Sequence, residues 1–256
     1  MTAAEIVLAF IGGLAFGSFA NVVAFRVPNG YSIVAPRSAC PHCEKPIAWY
    51  DNIPLVSYAV LGAKCRRCHQ HISIRYPLIE LGNGVLWALI VGRLGVHPEL
   101  PAYLAFATAL VTLSAIDIGH HRLPNKVLGP SFIIGAVLLV GATLVHHRWS
   151  NLEHAAIGAV AYGLPMLVLG IAAPSAMGGG DIKFAPYLGF HLGWFGLSLV
   201  LGGALLGLLA GGLGAALLLA VGRKGMKDAI PFGPFMALGA MAMLLLGAGA
   251  LKPWLG

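Results

Sequence analysis

The sequence contains few charged residues. Lys, Arg, Asp and Glu together make up 10% of its 256 residues, whereas soluble globular domains have about 25%. Hydrophobic residues make up 58%, and the mean hydropathy is +0.84. Each charge placed in the centre of a bilayer costs about 2.5 kcal/mol or more. The scarcity of charge therefore excludes a soluble domain and predicts an integral membrane protein.

The N-terminal segment has no Lys or Arg before Arg26. It therefore lacks the basic region with which a cleaved signal peptide begins. Residues 6–25 are instead twenty consecutive uncharged residues, which is long enough for a helix to cross a bilayer. We expect residues 1–25 to form a first transmembrane helix that is retained.

Six further apolar runs follow, and one of them is too long for a single crossing. They cover residues 78–94, 100–116, 127–145, 155–173, 184–222 and 229–251. A helix over 184–222 would be about 58 Å long, almost twice the hydrocarbon thickness. The sequence therefore predicts two spans there, with a break near Gly193 and Trp194. The expected fold is all-α and polytopic, with about eight transmembrane helices and both termini outside.

The basic residues are distributed unevenly along this topology. Seven of the sixteen Lys and Arg residues lie in residues 26–77. In the eight-span arrangement thirteen lie inside, and only Arg93, Arg148 and Lys252 lie outside, as the positive-inside rule requires. The net charge of +7 therefore indicates membrane orientation. We expect a lipid bilayer, not nucleic acid, as the surrounding partner.

All four cysteines lie in the predicted inside segment 26–77. Cys40 and Cys43 form one CxxC pair, and Cys65 and Cys68 form a second pair after twenty-one intervening residues. Two such pairs supply the four thiolates of a tetrahedral zinc site, and a site with four thiolates has no open position for water. We predict a small cytoplasmic zinc-ribbon-like domain with structural Zn²⁺. Three nearby histidines are interpreted as surface or outer-sphere residues: His42, His69 and His71.

Four of the nine acidic residues are expected near the inner face: Glu80, Asp117, Asp181 and Asp228. Asp117 ends the run 100–116, and Asp181 lies in the stretch MGGGDIKF. The topology places both at cytoplasmic helix ends, so they can meet in space. In such a pair one carboxylate deprotonates water while the protonated one donates to a scissile carbonyl. Asp117 and Asp181 are therefore the predicted catalytic residues.

Glycines surround the second aspartate. Gly178, Gly179 and Gly180 would let an extended substrate backbone approach closely, and we predict that they bind substrate together with Lys183. Asp181 could instead cap a helix, Asp117 could be a solvated helix end, and Lys183 could bind lipid phosphate. A second set of glycines, spaced by four, is expected to pack helices closely: Gly203, Gly207 and Gly211.

Several motifs together resemble the bacterial type IV prepilin peptidases, which are leader peptidases and N-methyltransferases of type IV pili and type II secretion. The resemblance covers nearly the whole chain. Its motifs, besides the CxxC pairs, are Phe16-Gly-Ser-Phe-Ala-Asn-Val-Val, Asn52-Ile-Pro-Leu-Val-Ser-Tyr58, Ile72-Ser-Ile-Arg-Tyr-Pro-Leu78, Asp117 with Leu123-Pro124, Gly178-Gly-Gly-Asp181-Ile-Lys183 and Ile230-Pro-Phe-Gly-Pro-Phe235. The departures are Ala20, Asn125 and Phe184, none of them a proposed catalytic group. A GxGD motif is shared with presenilin-like proteases, but its combination with the cysteine domain is specific.

The resemblance implies a bifunctional enzyme of the bacterial inner membrane. It would cleave prepilins or pseudopilins after a glycine, on the cytoplasmic side of their hydrophobic segment. It would then methylate the new N-terminus, commonly phenylalanine, with S-adenosylmethionine. Asp117 and Asp181 match the catalytic aspartates, and the four cysteines match the zinc ligands. Residues 78–256 would form the peptidase domain.

The methyl-donor site and two other functions stay open at this point. No glycine-rich Rossmann loop is present, so the donor would bind in an unconventional site, for which we name Asn52, Arg75 and Glu80 as candidates. One alternative is a peptidase without methyltransferase activity. Another is a proton-coupled transporter that uses the same aspartates. A zinc protease is disfavoured because the sequence has no HExxH motif.

Overall fold

The computed structural model describes residues 2–173, 177–221 and 230–247. Within these ranges the protein is helical, and no strand longer than an isolated bridge is present. The helices are α1 (Ala3–Arg26), α2 (Val56–Val60), α3 (Arg75–Leu94), α4 (Leu100–His120), α5 (Asn125–His146), α6 (Trp149–Ala172), α7 (Gly179–Gly193), α8 (Leu197–Ala220) and α9 (Gly233–Leu246). A short 3₁₀ helix covers Trp49–Asn52. The predicted all-α membrane fold is confirmed.

Each predicted apolar run corresponds to one helix, except for 184–222, which contains both α7 and α8. Six of the helices, α1, α3, α4, α5, α6 and α8, are long and apolar enough to cross a membrane. The described parts of α7 and α9 are shorter, at 15 and 14 residues. The predicted break is confirmed: α7 ends at Gly193, and Gly196, with a φ of +121°, turns the chain into α8.

The long helices pack as hairpins around α4. Helix α1 packs against α3, α6 against α7 and α8 against α9, while α4 contacts α1, α3, α5 and α9. Glycines allow these close approaches. A Cβ on Gly207 would lie 3.1 Å from the Cα of Met236 in α9, and Gly203 and Gly211 also face α9. The predicted packing role of this glycine row is confirmed.

The cysteine-containing segment and the ends of several helices lie together at one end of the helical bundle. The Arg75 guanidinium at the start of α3 donates to the Ala115 carbonyl near the end of α4. The Lys183 amine, in the second turn of α7, lies 3.4 Å from the Asn125 side chain at the start of α5. The cysteine-containing segment between α1 and α3 lies at this same end. The basic loop 223–227, Asp228 and Lys252 lie outside the described residues.

Polar contacts attach the cysteine segment to the helices. The Arg26 guanidinium, at the end of α1, donates to the carbonyls of Ser32 at 2.9 Å and Pro36 at 2.6 Å. The Asn21 side chain donates to the Tyr76 carbonyl at 3.0 Å. Helices α1 and α3 thus form one unit with the segment between them. The predicted domain boundaries at 25 and 77 stay a prediction.

Candidate active site and metal centre

Asp117 is a buried carboxylate near the C-terminal end of α4, with 5% of its surface exposed. Its Oδ2 accepts a hydrogen bond of 3.1 Å from the backbone N–H of Gly233 at the start of α9. The helix ends one turn later, where His121 adopts a φ of +49° and donates its N–H to the Asp117 carbonyl at 2.8 Å. Asp117 is therefore held by a neighbouring helix and is not a solvated helix end.

Asp181 lies in the first turn of α7. The N-cap residue of this helix is Gly178, and the Asp181 carboxylate reaches back to accept a hydrogen bond from the Gly178 N–H. An acidic residue at this position also interacts favourably with the positive end of the helix dipole. Asp181 thus satisfies one free backbone donor without being the cap residue. The interpretation as a capping group and the interpretation as a catalyst both fit this geometry.

The two aspartates meet at one end of the bundle although 64 positions separate them. Their carboxyl groups are close enough for a direct charge–charge interaction. Leu123 lies next to the glycine that precedes Asp181 and the glycine that contacts Asp117: a Cβ on Gly180 would lie 3.0 Å from the Leu123 Cβ, and one on Gly233 would lie 3.4 Å from its Cδ1. The structure therefore brings together the two residues that the sequence named as a pair. Their catalytic role stays a prediction.

The three glycines before Asp181 have different surroundings. A Cβ on Gly178 would lie 3.1 Å from the Asp181 Oδ2, and one on Gly180 would meet Leu123. A Cβ on Gly179 would meet nothing within 4 Å, and Gly179 is exposed. Of these three glycines, Gly179 alone therefore presents backbone with open space beside it. Lys183 is exposed, and its amine is directed to Asn125.

The four cysteines converge on one point, and their sulfur atoms all lie within 4.8 Å of one another. The Sγ atoms of Cys40 and Cys68 are 3.7 Å apart. Zinc–sulfur bonds of about 2.3 Å in a tetrahedron put the sulfurs about 3.8 Å apart, so the spacing fits Zn²⁺. A Cys₄ group is therefore present, as predicted, and the three nearby histidines are not part of it.

Each CxxC pair lies in a tight turn, here called a knuckle, and the two knuckles have nearly the same backbone structure. Cys40 accepts at its carbonyl from the N–H of Glu44, and Cys65 accepts in the same way from His69. Glu44 and His69 share the same φ of +56°. A β-bridge closes each knuckle, joining Ala39 to Pro46 and Lys64 to His71. This repetition was not recognised in the sequence, where its signals are the offset of 25 residues between the pairs and an isoleucine four residues after each pair, Ile47 and Ile72.

Backbone dipoles and an ion pair shape the electrostatics of this domain. The N–H groups of Cys68 and Arg67 lower the pKa of the Cys65 thiol to about 6, which favours the thiolate that a metal needs. The Arg66 guanidinium holds Asp51 in a bidentate pair, with the shortest N–O distance 2.7 Å, and this lowers the pKa of the Asp51 carboxyl. Asp51 lies in the 3₁₀ helix between the two knuckles, and Arg66 lies inside the second CxxC pair. The ion pair therefore links this helix to the metal centre.

A cavity of about 750 Å³ lies between the cysteine domain and the adjoining turns of α1 and α3. Asn52 and Glu80 line it, whereas Arg75 does not. A smaller cavity of about 260 Å³ adjoins it and shares the wall formed by Arg37, Ser38, Ile47 and Asn52. A volume of this size suits a small-molecule ligand. Two of the three predicted cofactor-binding residues therefore face one cavity, and Arg75 instead contacts α4 beside Asp117.

Comparison with known proteins assigns both halves of the chain. Residues 11–94 match the bacterial peptidase A24 N-terminal domain, and residues 104–255 match the type IV leader peptidase family. The chain belongs to the type IV leader peptidase family. It is therefore a membrane peptidase, as the sequence predicted, and no solved structure shows significant similarity to it.

Similar proteins carry the same assignment over most of the chain. A prepilin leader peptidase/N-methyltransferase from Myxococcus xanthus is 40% identical over 86% of this chain and 65% of its own length. Proteins of the same name from Burkholderia pseudomallei and Bacillus subtilis are 33% and 32% identical, over 96% and 93% of this chain and 87% and 93% of their own lengths. The family segments also separate the two sites, because both aspartates lie in the leader peptidase segment and all four cysteines lie in the N-terminal one.

Sequence reasoning missed one residue that contacts Asp117. Gly233 donates its N–H to Asp117 and leaves no room for a side chain, since a Cβ there would lie 2.8 Å from the Asp117 Oδ2. The sequence offered Gly233 only within the motif 230–235, between Phe232 and Pro234. Contact with a residue 116 positions earlier cannot be read from that spacing.

Proposed function

We propose that this leader peptidase cleaves type IV prepilins or type II secretion pseudopilins at the cytoplasmic face of the inner membrane and methylates the new N-terminus. The observation that carries the proposal is the meeting of Asp117 and Asp181 at the end of the helices where the cysteine domain lies. The names of the relatives support both activities.

The aspartate pair supplies the groups that amide hydrolysis requires. The ionised carboxylate removes a proton from water, and the oxygen of that water attacks the scissile carbonyl carbon while the protonated carboxyl donates to the carbonyl oxygen. The aspartate that took the water proton then gives it to the leaving nitrogen as the C–N bond breaks, and the other aspartate regains its proton from the hydroxyl of the intermediate. The Gly233 N–H holds one oxygen of Asp117 in place and thereby limits rotation of this carboxyl group.

The orientation of this site follows from charge. The loops and the cysteine domain at the aspartate end contain the basic residues of the described chain except Arg93 and Arg148, and the positive-inside rule assigns that end to the cytoplasm. A prepilin leader is short and basic, and two acidic groups at its docking point favour it electrostatically. The aspartates lie at helix ends, not at mid-bilayer depth, and this placement favours hydrolysis over a proton relay in transport.

S-adenosylmethionine is the methyl donor that the proposal requires, and when bound it supplies an electrophilic methyl group. The cavity beside the cysteine domain fits it in size and in lining, because aromatic and basic side chains face it together with Asn52 and Glu80. Arg37 and Lys45 suit the carboxylate of such a donor, and Tyr50 and Tyr58 suit its adenine ring. Arg75 lies outside this lining.

Incubation of the purified enzyme with a prepilin, with and without S-adenosylmethionine, tests the proposed function. Intact-mass analysis should show loss of the leader in both reactions and one added methyl group only when the donor is present. Cleavage without methylation would support the peptidase-only alternative. An uncleaved prepilin in both reactions would refute the proposal.

The glycines before Asp181 yield a matched pair of variants. We expect Gly179→Ala to insert and fold normally, because its added methyl group meets nothing in the protein, but to slow prepilin cleavage by about 10-fold if substrate backbone lies there. Gly180→Ala should impair cleavage through the protein itself, by displacing Leu123. Rates measured in membranes at equal enzyme levels separate the two effects. A Gly179→Ala enzyme with wild-type KM and kcat would remove this glycine from the substrate site.

Gly233→Ala tests the missed contact to Asp117. The added methyl group would lie 2.8 Å from Oδ2, so the carboxylate must move away from its backbone donor. A displacement of about 1 Å costs up to about 100-fold in rate, and we expect a loss of prepilin cleavage of that order. Gly129→Ala in α5 is the control, since a Cβ there meets nothing within 4 Å. Equal rates for the two variants would contradict the role of Gly233.

A further inference from the structure

Glu80 is an acidic residue whose surroundings the peptidase reaction does not explain. It lies in the second turn of α3, is 9% exposed, and lines the cavity beside the cysteine domain. Its Oε2 accepts from the Leu55 N–H at 2.9 Å, and the Ser18 hydroxyl interacts with the same carboxylate. No Lys or Arg pairs with it among the described residues. A buried carboxylate without a cation is costly, so a cationic partner is expected from outside the chain.

The charges of the cavity make this carboxylate distinctive. Five Lys and Arg residues line the cavity: Arg26, Arg37, Lys45, Arg66 and Arg67. The lining has two acidic residues, Asp51 and Glu80, and Asp51 is already neutralised by the bidentate pair with Arg66. Within an otherwise basic cavity, a cationic ligand group therefore has one favourable position, at Glu80.

Glu80 also lies at the end of the cavity nearest the membrane. Helices α1 and α3 cross there, and a Cβ on Gly17 would lie 2.8 Å from the Glu80 Cα. Of the lining residues on these helices, Ser18 and Glu80 are the furthest from the helix ends that join the cysteine domain. A ligand that stays anchored in the bilayer reaches this end first, whereas a soluble donor enters past the cysteine domain.

Helix α3 connects this position with the peptidase site. Arg75 contacts the Ala115 carbonyl, two residues before Asp117, and Glu80 follows Arg75 by five residues, a rise of about 7.5 Å along the helix. The strained backbone of Leu55, a non-glycine residue with a φ of +59°, presents its N–H to Glu80. Such backbone strain is concentrated at binding and active sites.

We infer that Glu80 binds the α-ammonium group of the cleaved substrate in the cavity and takes one of its protons, so that the amine held there is neutral and able to accept a methyl group. The inference rests on the proposed function and names the residue that receives the product. The new N-terminus is cationic, and Glu80 has no cationic partner among the described residues. The hydrophobic helix of the product stays in the bilayer beside α1 and α3. The amine therefore moves from the aspartates to Glu80 while the rest of the product remains in the membrane.

Binding of two synthetic peptides, measured without any methyl donor, tests this inference. Both have the sequence of a mature pilin N-terminus beginning with phenylalanine, one with a free amine and one N-acetylated, in detergent micelles. Loss of a charge-assisted hydrogen bond costs on the order of 10- to 100-fold in affinity, so the wild-type enzyme should prefer the free amine by that factor. Glu80→Gln should bind both peptides equally, and Glu80→Asp should recover part of the preference.

The matched control is Asp51→Asn, which removes the other carboxylate of the same cavity. It should keep the preference for the free amine, because Arg66 already neutralises Asp51. Zinc content confirms that each variant retains a folded cysteine domain. Persistence of the preference in Glu80→Gln would overturn the inference. If Glu80→Gln keeps the preference for the free amine but no longer binds S-adenosylmethionine, the inference is also overturned, because the carboxylate then holds the donor.

Failure of this inference is distinct from failure of the proposed function. Wild-type enzyme that cleaves and methylates prepilin but binds the two peptides equally would overturn only the role of Glu80. Wild-type enzyme that neither cleaves nor methylates would overturn the proposed function itself.

Discussion

Asp117→Asn and Asp181→Asn should each lose prepilin cleavage by at least about 100-fold, the minimum contribution of a general acid or base. Asparagine has nearly the shape of aspartate but neither accepts a proton from water nor donates a carboxyl proton. Asp117→Asn retains the oxygen that accepts from the Gly233 N–H, so the loss should come from chemistry and not from packing. The measurement is the rate of leader removal in membranes that contain equal amounts of each enzyme.

A control variant separates this effect from a general loss of acidic charge. Glu153 is exposed in the first turn and a half of α6, at the opposite end of that helix from the aspartates, and Glu153→Gln should cleave at the wild-type rate. Full cleavage by either aspartate variant would show that the pair does not act together. It would also return Asp181 to the simpler role of capping α7 through the Gly178 N–H.

Removal of zinc should have the second large effect. Structural zinc contributes about 10 to 16 kcal/mol to the folding of small zinc-binding domains, and the cysteine segment has no strand longer than a single bridge in its described residues. We expect Cys65→Ser to lose the metal, to unfold the segment between α1 and α3, and to abolish methylation. Metal analysis should give one zinc per wild-type chain and close to none per variant chain.

The fluorescence of Trp49 and limited proteolysis would report the unfolding directly, since Trp49 lies in the 3₁₀ helix between the two knuckles. His42→Ser is the matched control, because His42 lies inside the first CxxC pair yet is exposed and outside the four-sulfur group. It should keep its zinc and its folded cysteine segment. A Cys65→Ser enzyme that methylates normally would show that the cavity does not depend on the metal centre.

The sequence predicted the helices well because the bilayer imposes one strong constraint. Apolar runs of fixed length predicted the long helices. The length of the run 184–222 and the basic loop after it predicted the break that lies at Gly193 and Trp194. The four cysteines were equally predictable, since their chemistry requires four ligands in one place. Each of these conclusions depended on the spacing of residues that are near one another in the sequence.

The contacts between distant segments could not be predicted in the same way. The bond from Gly233 to Asp117 joins α9 to α4, and its only sequence signal is a glycine between aromatic and proline residues. Arg75 was expected near a cofactor because it lies where the cysteine segment joins a span, but its guanidinium contacts α4. Such placements depend on how helices cross, and hydrophobic periodicity does not determine the crossing.

Methylation of a pre-cleaved substrate by the Asp117→Asn, Asp181→Asn double variant tests the central claim most directly. If the aspartates cleave and the cavity beside the cysteine domain methylates, this enzyme should leave a prepilin intact yet add one methyl group to a synthetic mature N-terminus in the presence of S-adenosylmethionine. Intact-mass analysis reads both outcomes in one experiment. Cleavage of the prepilin by the double variant at the wild-type rate would contradict the assignment of two separate sites. Failure of the zinc-loaded double variant to methylate the pre-cleaved peptide would also contradict it.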